Sequence, residues 1–224
     1  MIKGVLFDMD GLMFDTERLS THGWKDTAKK LNIDLPSEFI NSYKGTSAVY
    51  SKKLFKNRFG QDFDYEYARG IRTDYMNSVI EVSGVPVKKG LIELLDYLKV
   101  NHNLAAVATS TSQLMGEKYL KMAGVYDYFA TVIYGDTVLN GKPEPDIYLK
   151  AAQVIGINPK DCFVLEDSPA GISAGFSAGA KVIHIPDQIV IEEDIKLKVF
   201  RIVSDLSEVI KLLEIENKVR ENYI

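Results

Sequence analysis

Four short segments carry side chains that together could bind and transfer a phosphoryl group. The first is Asp8-Met9-Asp10-Gly11, where two carboxylates lie two residues apart at the end of an apolar run. Carboxylates bind hard cations, attack as nucleophiles and move protons. Gly11 permits a turn that aims both acids at one point. An isolated Asp-x-Asp-Gly segment is more often an ordinary turn, so it does not establish a site alone.

The other three segments supply complementary polar groups. Hydroxyls from Thr109 to Ser112 follow an apolar run and precede a helix, an arrangement that suits phosphate oxygens. Lys142 lies in a loop that flanking Gly and Pro residues restrict. Glu166 and Asp167 follow a further apolar run. Each segment also has an ordinary interpretation, as a helix cap, a solvated lysine or helix N-terminal charge. Their combination favours a catalytic site.

The elements that must position these segments are short β-branched runs, which alternate with segments of helical spacing from about residue 85 onward. This alternation predicts an α/β fold: a doubly wound, Rossmann-like, mostly parallel sheet with helices on both faces. Ligands of such sheets bind at the carboxyl ends of the strands. The predicted strands are Val5 to Phe7, Leu104 to Ala108, Thr131 to Tyr134, Phe163 to Leu165, Val182 to Ile185, and Ile202 with Val203.

Residues 15–82 interrupt this alternation with apolar positions at helical spacing and little strand signal. Aromatic residues such as Trp24, Tyr43 and Phe55 are dense enough there for a small separate core. We therefore predict a helical cap domain over 15–82, inserted into a catalytic core domain formed by 1–14 and 83–224.

Composition narrows the class of protein. The chain has 224 residues, 46% of them hydrophobic, which excludes a disordered or fibrous protein. A net charge of −4 gives no general attraction to nucleic acid or to an anionic membrane, so neither is expected as a partner. The longest apolar runs are too short to span a bilayer, and a single cysteine, Cys162, fits a reducing compartment. We expect a cytoplasmic protein.

With these four segments in place, the chain resembles the haloacid dehalogenase superfamily, specifically its phosphatase and β-phosphoglucomutase-like subfamily with a helical cap. The resemblance covers essentially the whole chain. It implies that Asp8 is the nucleophile and Asp10 the general acid and base. It also implies that phosphoryl oxygens are held by Thr109, Ser110 and Lys142.

The resemblance further implies Mg²⁺ as cofactor. Its ligands would be the Asp8 carboxylate, the Asp10 backbone carbonyl and Asp167, while Glu166 would be either a ligand or a neighbour of the ligands. The substrate would be a small phosphate ester, with a sugar phosphate as the first expectation and a nucleotide or pseudonucleoside monophosphate as the second. A monomer is expected, because a closing cap needs no second copy.

The same subfamily contains mutases, and two positions in the insert separate the alternatives. β-Phosphoglucomutases carry a His in the first cap helix and an Arg after a Lys-Gly-x-Ser stretch, but Ser20 and Ala48 stand at those positions here. His22 lies about 200° further around a helix and substitutes poorly. A phosphatase is therefore favoured, with a phosphosugar mutase as the alternative and a non-catalytic binding module as a second alternative. Candidate substrate contacts in the cap are Lys44, Thr46 and Ser47.

Overall fold

The computed structural model describes residues 1–43 and 48–221. Its strands are β1 (Gly4–Phe7), β2 (Leu104–Thr109), β3 (Thr131–Tyr134), β4 (Cys162–Glu166), β5 (Lys181–His184) and β6 (Arg201–Ile202). They form a six-stranded, fully parallel sheet in the order β3-β2-β1-β4-β5-β6. The predicted doubly wound α/β class is confirmed, and each predicted strand overlaps an observed one.

The register of the central strands decides where the functional segments lie. Phe7 at the end of β1 pairs with Val107 of β2 on one side and with Leu165 of β4 on the other. The residues that follow these positions therefore leave the sheet at one edge. The chain also reverses its direction of winding at β1, and such switch points form the ligand crevice in doubly wound sheets.

Along each strand, successive side chains point to opposite faces of the sheet, and helices pack on both faces. The helices are α1 (Thr16–Leu31), α2 (Ser37–Asn41), α3 (Ala48–Phe59), α4 (Tyr65–Ser83), α5 (Leu91–Val100), α6 (Gln113–Met122), α7 (Asp146–Val154), α8 (Pro169–Ser177), α9 (Glu193–Lys196) and α10 (Glu208–Glu221). Val5 and Phe7 pack with residues of α5, α6 and α10, whereas Leu6 packs with residues of α7 and α8 on the opposite face. No helix in the described ranges is long and apolar enough to cross a membrane.

Helices α1 to α4 lie between β1 and β2 in the chain and have their own hydrophobic cluster. Trp24 is at its centre, with ring centroids 4.7 Å from Phe55 and 6.0 Å from Tyr43. Helix α1 begins one residue after Asp15, and α4 ends before Gly84, whose φ of 76° reverses the chain. The helical content agrees with the sequence pattern, while the division into two domains stays a prediction.

Candidate active site

Asp8 is the first residue after β1, and the turn that follows Asp8 brings the chain close to the end of β4. Gly11 occupies the left-handed region at φ 87°, and a Cβ there would lie 2.3 Å from Oδ2 of Asp167. Glycine is therefore required at this position for both its backbone conformation and the space that it leaves.

Three carboxylates meet at this edge of the sheet. Asp8, Glu166 and Asp167 are all buried, and each offers an oxygen within 4.8 Å of the others. The Nζ of Lys142 lies among them, paired with Oδ1 of Asp8 and 2.7 Å from Oε1 of Glu166. The Lys142 side chain is only 3% exposed, so its charge is committed to this cluster.

Protein donors occupy both oxygens of Glu166. Besides Lys142, Oε1 accepts a 2.6 Å hydrogen bond from the Tyr148 hydroxyl. Oε2 accepts backbone N–H bonds from Asp167 and Ser168 and a further bond from the Ser168 hydroxyl. A carboxylate has about four lone-pair sites, and these five donors fill them. Glu166 thus orients Lys142 through Oε1, and it also lies close enough to Asp8 and Asp167 to share a cation with them. Whether it is a ligand or a neighbour of the ligands stays a prediction.

Asp167 differs from Glu166 in its hydrogen bonding. Its Oδ1 is buried and accepts no hydrogen bond from the described residues. A buried carboxylate oxygen without a donor is costly, and a cation would satisfy it. The oxygen-only donor set at this point is the type that Mg²⁺ prefers, so the residues fit that ion.

The pKa shifts within this cluster also indicate a site for a cation. Burial raises the pKa of Asp8 well above its usual range, and the attraction of Lys142 is opposed by repulsion from Glu166 and Asp10. Burial and the charges of Asp8 and Glu166 also raise the pKa of Asp167. Burial alone would lower the pKa of Lys142, but the two neighbouring carboxylates outweigh it and raise that pKa. Negative charge is therefore in excess, and added positive charge would stabilise the ionised acids.

Asp10 lies beside this cluster and is held by hydroxyl groups. Its Oδ1 accepts a 2.7 Å bond from Thr16, and its Oδ2 accepts one of 2.7 Å from Thr111 and a longer one of 3.4 Å from Thr109. A hydroxyl can either donate or accept. Asp10 can therefore gain or lose a proton without losing its partners, as a general acid and base requires.

A cavity of about 250 Å³ lies between these strand ends and the helices α1 and α4. Ser110 is exposed to it, whereas Thr109 is fully buried and its hydroxyl accepts the N–H of Thr111. Ser20 lines the cavity, while His22 is exposed and is not part of the lining. The predicted cap contacts Lys44, Thr46 and Ser47 fall outside the residues that the structure describes.

Several residues of the site were not anticipated from the sequence. Tyr148 and Ser168 hold Glu166, and Thr16 with Thr111 holds Asp10. Thr111 belongs to the same run of hydroxyl residues as Thr109, so the sequence does offer a pattern that points to its role. No sequence pattern points to Tyr148, because a tyrosine on an amphipathic helix is most simply a core residue.

Comparison with known proteins agrees with this geometry. Residues 5–185 match the family described as haloacid dehalogenase-like hydrolase. Hexitol phosphatase A of Escherichia coli (strain K12) is 32% identical over 82% of this chain and 82% of its own length. A probable pseudouridine-5'-phosphatase of Drosophila melanogaster is 34% identical over 81% of this chain and 80% of its own. The crystal structure of β-phosphoglucomutase from Clostridium difficile superposes with a TM-score of 0.80 at 25% identity, covering 100% of this chain and 99% of the other.

The protein with this sheet and this buried acidic site belongs to the haloacid dehalogenase-like hydrolase family. It is an enzyme that acts on phosphate esters.

Proposed function

We propose that the protein is a Mg²⁺-dependent phosphatase that hydrolyses small phosphomonoesters through an aspartyl-phosphate intermediate. The observation that carries the proposal is the buried group of Asp8, Lys142 and Asp167 at the strand ends, with Asp10 beside it on hydroxyl partners. A nucleophile, a cation, an unsatisfied acid and a proton carrier are thus grouped at one end of one cavity.

Mg²⁺ would be held by Asp8, Asp167 and the backbone carbonyl of Asp10, with Glu166 orienting Lys142 nearby. When bound, the ion would supply positive charge that offsets the phosphoryl oxygens and the ionised acids. Lys142 would lessen repulsion between the Asp8 carboxylate and an anionic substrate. Phosphoryl oxygens would be received by Ser110, which lines the cavity, and by Thr109, which precedes it and whose hydroxyl would turn from Asp10 and Thr111 to the substrate.

In the first chemical step, a carboxylate oxygen of Asp8 would attack phosphorus while the bond from phosphorus to the ester oxygen breaks. Asp10 would give its proton to the departing alkoxide, so that the alcohol leaves neutral. Thr16 and Thr111 keep Asp10 in place during this transfer, because their hydroxyls can turn to accept when Asp10 is protonated.

In the second step, Asp10 would take a proton from water as that water attacks phosphorus. The bond between phosphorus and the Asp8 oxygen would break, releasing inorganic phosphate and restoring the Asp8 carboxylate. The enzyme then ends with Asp10 protonated and ready for the next ester.

The segment 15–82 would act as the cap that closes over the cavity and selects the substrate. Within it, the exposed position of His22 and the presence of Ser20 on the cavity support a phosphatase over a mutase, since a mutase must return the phosphoryl group to a sugar hydroxyl. A monomer is proposed, because a cap that closes over the cavity needs no second copy. The lone, buried Cys162 supports a reducing, cytoplasmic setting.

For the substrate, a sugar phosphate is proposed first, because the matching relatives include a hexitol phosphatase. A pseudonucleoside or nucleotide monophosphate is second, since another relative is a probable pseudouridine-5'-phosphatase. Assaying kcat/KM over a panel of sugar phosphates and nucleotides ranks the two classes.

The covalent mechanism is tested with p-nitrophenyl phosphate, a chromogenic ester. We expect Mg²⁺-dependent hydrolysis by the wild type and a loss of about 10⁴-fold or more in Asp8→Asn, which keeps the side-chain shape but removes the nucleophile. A melting temperature near that of the wild type shows that the variant is folded. Equal activity in both proteins contradicts the covalent mechanism, and no activity in the wild type favours a binding module.

The mutase alternative rests on the similarity to β-phosphoglucomutase. Phosphorus NMR of a reaction supplied with β-glucose 1-phosphate separates the two activities. Inorganic phosphate as product supports the phosphatase, whereas glucose 6-phosphate contradicts it.

A further inference from the structure

Arg72 of α4 has an unusual environment on the helical side of the cavity. No ion pair within the described ranges involves Arg72. Its Nη1 donates to the thioether sulfur of Met76, a weak acceptor, and its buried Nε has no hydrogen-bond partner. The guanidinium lies over the ring of Trp24, 5.7 Å from the centroid.

Such an environment is expensive for a permanently charged group. Burial, together with the charge of Arg69, lowers the pKa of Arg72, although arginine still stays protonated. The ring of Trp24 compensates part of the lost hydration through a cation–π contact. The remaining N–H groups need an acceptor, and a guanidinium pairs best with a carboxylate or a phosphate.

The backbone fixes this guanidinium at the cavity wall. Helix α1 carries Gly23 where α4 crosses it, and a Cβ at Gly23 would lie 2.9 Å from the Arg72 carbonyl oxygen and 3.0 Å from its Cγ. The two helices therefore approach closely at the root of the arginine side chain. Arg72 and Trp24 line the same cavity as Asp8 and Lys142.

Arg72 and the reaction centre share one cavity of about 250 Å³, because Asp8, Asp10 and Arg72 all line it, so a single ligand in that cavity can contact both sides. The strand-end side has an excess of buried carboxylates, which would repel a second anionic group on a substrate. The helical side carries the positive charges of Arg69 and Arg72. The charge of Glu17 also acts on Arg72, but no carboxylate of the described residues forms an ion pair with it.

We propose that Arg72 binds a second anionic group of the substrate, a carboxylate or a further phosphate, while the scissile phosphoryl group lies at Asp8. This inference rests on the proposed phosphatase function and narrows its substrate class to phosphate esters with an anionic far end. A carboxylate and a phosphate offer the same paired oxygens to a guanidinium, so the test has one arm for each.

The test compares substrates that differ only in the far group. In the carboxylate arm, 6-phosphogluconate is compared with glucitol 6-phosphate; in the phosphate arm, fructose 1,6-bisphosphate is compared with fructose 1-phosphate. The proteins are the wild type, Arg72→Met and Arg72→Lys. Arg58→Met is the matched control, because Arg58 also stacks on aromatic rings but is paired with Asp34 at the surface.

We expect the wild type to prefer the doubly anionic member of at least one pair by about tenfold or more in kcat/KM. Arg72→Met should lower kcat/KM for that member by about 10- to 100-fold and change the other member and p-nitrophenyl phosphate by less than about threefold. Arg72→Lys should restore part of the loss, since it keeps the charge but not the planar fork. Arg58→Met should leave the preference unchanged.

Two results overturn the proposal. One is a wild type that hydrolyses p-nitrophenyl phosphate but prefers neither doubly anionic substrate. The other is an Arg72→Met variant that loses activity equally on all substrates, as a structural role through Trp24 predicts. A wild type without activity on any ester, p-nitrophenyl phosphate included, contradicts the proposed function instead. In that event, ligand-induced melting shifts of Asp8→Asn with 6-phosphogluconate and fructose 1,6-bisphosphate, with and without Arg72→Met, decide the binding proposal alone.

Discussion

At the strand-end side of the cavity, Lys142 lies between two carboxylates, whereas on the helical side Arg72 belongs to no ion pair among the described residues. We call the first group, formed by Asp8, Lys142, Glu166 and Asp167, the floor, and the second, formed by Trp24 and Arg72, the wall. Both contain a cation, fully buried in the floor and partly buried in the wall, yet only the floor pairs its cation with carboxylates of the protein.

This difference follows from what each side must do. A reaction centre needs groups that are already in position when the substrate arrives, so the floor holds Lys142 with two acids and holds Glu166 with five donors. A specificity site gains most when its charge is satisfied only by the right ligand, since a wrong ligand then leaves that charge unpaired. The exception within the floor is Asp167, which has a buried oxygen without a donor.

Among the changes that test this comparison between floor and wall, Asp167→Asn has the largest expected effect. Activity should fall about 10²-fold or more, because charge that stabilises the transition state is lost. Without divalent metal, the variant should be no less stable than the wild type, since a buried and unpaired anion has been neutralised. Thermal melting of both proteins in EDTA measures this.

Adding Mg²⁺ separates the two proteins further. At about 100 times its dissociation constant, the ion should stabilise the wild type by about 2.7 kcal/mol, or roughly 5 to 10 °C, and should not shift Asp167→Asn. The same Mg²⁺ shift in both proteins would show that Asp167 is not a ligand.

Glycines give a second contrast between the two sides. Gly171 in the first turn of α8 lies against the floor, and a Cβ there would be 1.7 Å from Oε1 of Glu166. Gly171→Ala should displace Glu166 from Lys142, costing about 3 kcal/mol of stability and lowering activity. Urea unfolding and hydrolysis of p-nitrophenyl phosphate measure the two effects.

Gly70, in the interior of α4, provides the matched control because a Cβ there would meet nothing within 4 Å. Gly70→Ala should stabilise the protein by about 0.5 to 1 kcal/mol through helix propensity and leave activity unchanged. If Gly171→Ala behaves like Gly70→Ala, the close packing against Glu166 does not matter for the site.

Most of the floor could be predicted from the sequence, because Asp8, Glu166 and Asp167 lie at or directly after the end of an apolar strand. Strand ends of a parallel sheet converge, so these acids could be grouped without knowing any contact between them. Lys142 lies in the loop between β3 and α7, and the Gly and Pro residues beside it were the signal for that position. The six strands could be predicted because they appear as short apolar runs, although the edge strand β6 is exposed.

The wall could not be predicted in this way. Arg72 lies in a long helix whose sequence gives no sign of which face meets the cavity. Its importance depends on its having no ion pair among the described residues, which the sequence cannot show. The role of Tyr148 could not be predicted either, because its hydroxyl contacts Glu166 only after α7 has packed on the sheet. Both depend on contacts between elements distant in the chain.

Tyr148 offers the smallest and most discriminating change. Tyr148→Phe removes the 2.6 Å hydrogen bond to Oε1 of Glu166 and leaves the ring beneath the Lys142 ammonium, which lies 5.0 Å from the ring centroid. Because Oε1 keeps Lys142 as a partner, no oxygen is left without a donor, and the cost should be about 1 to 2 kcal/mol in urea unfolding. The kcat for p-nitrophenyl phosphate should fall by less than about tenfold. A loss as large as that of Asp167→Asn would mean that the tyrosine hydroxyl, and not Lys142, fixes the position of Glu166, and that the floor depends on one neutral hydrogen bond rather than on its paired charges.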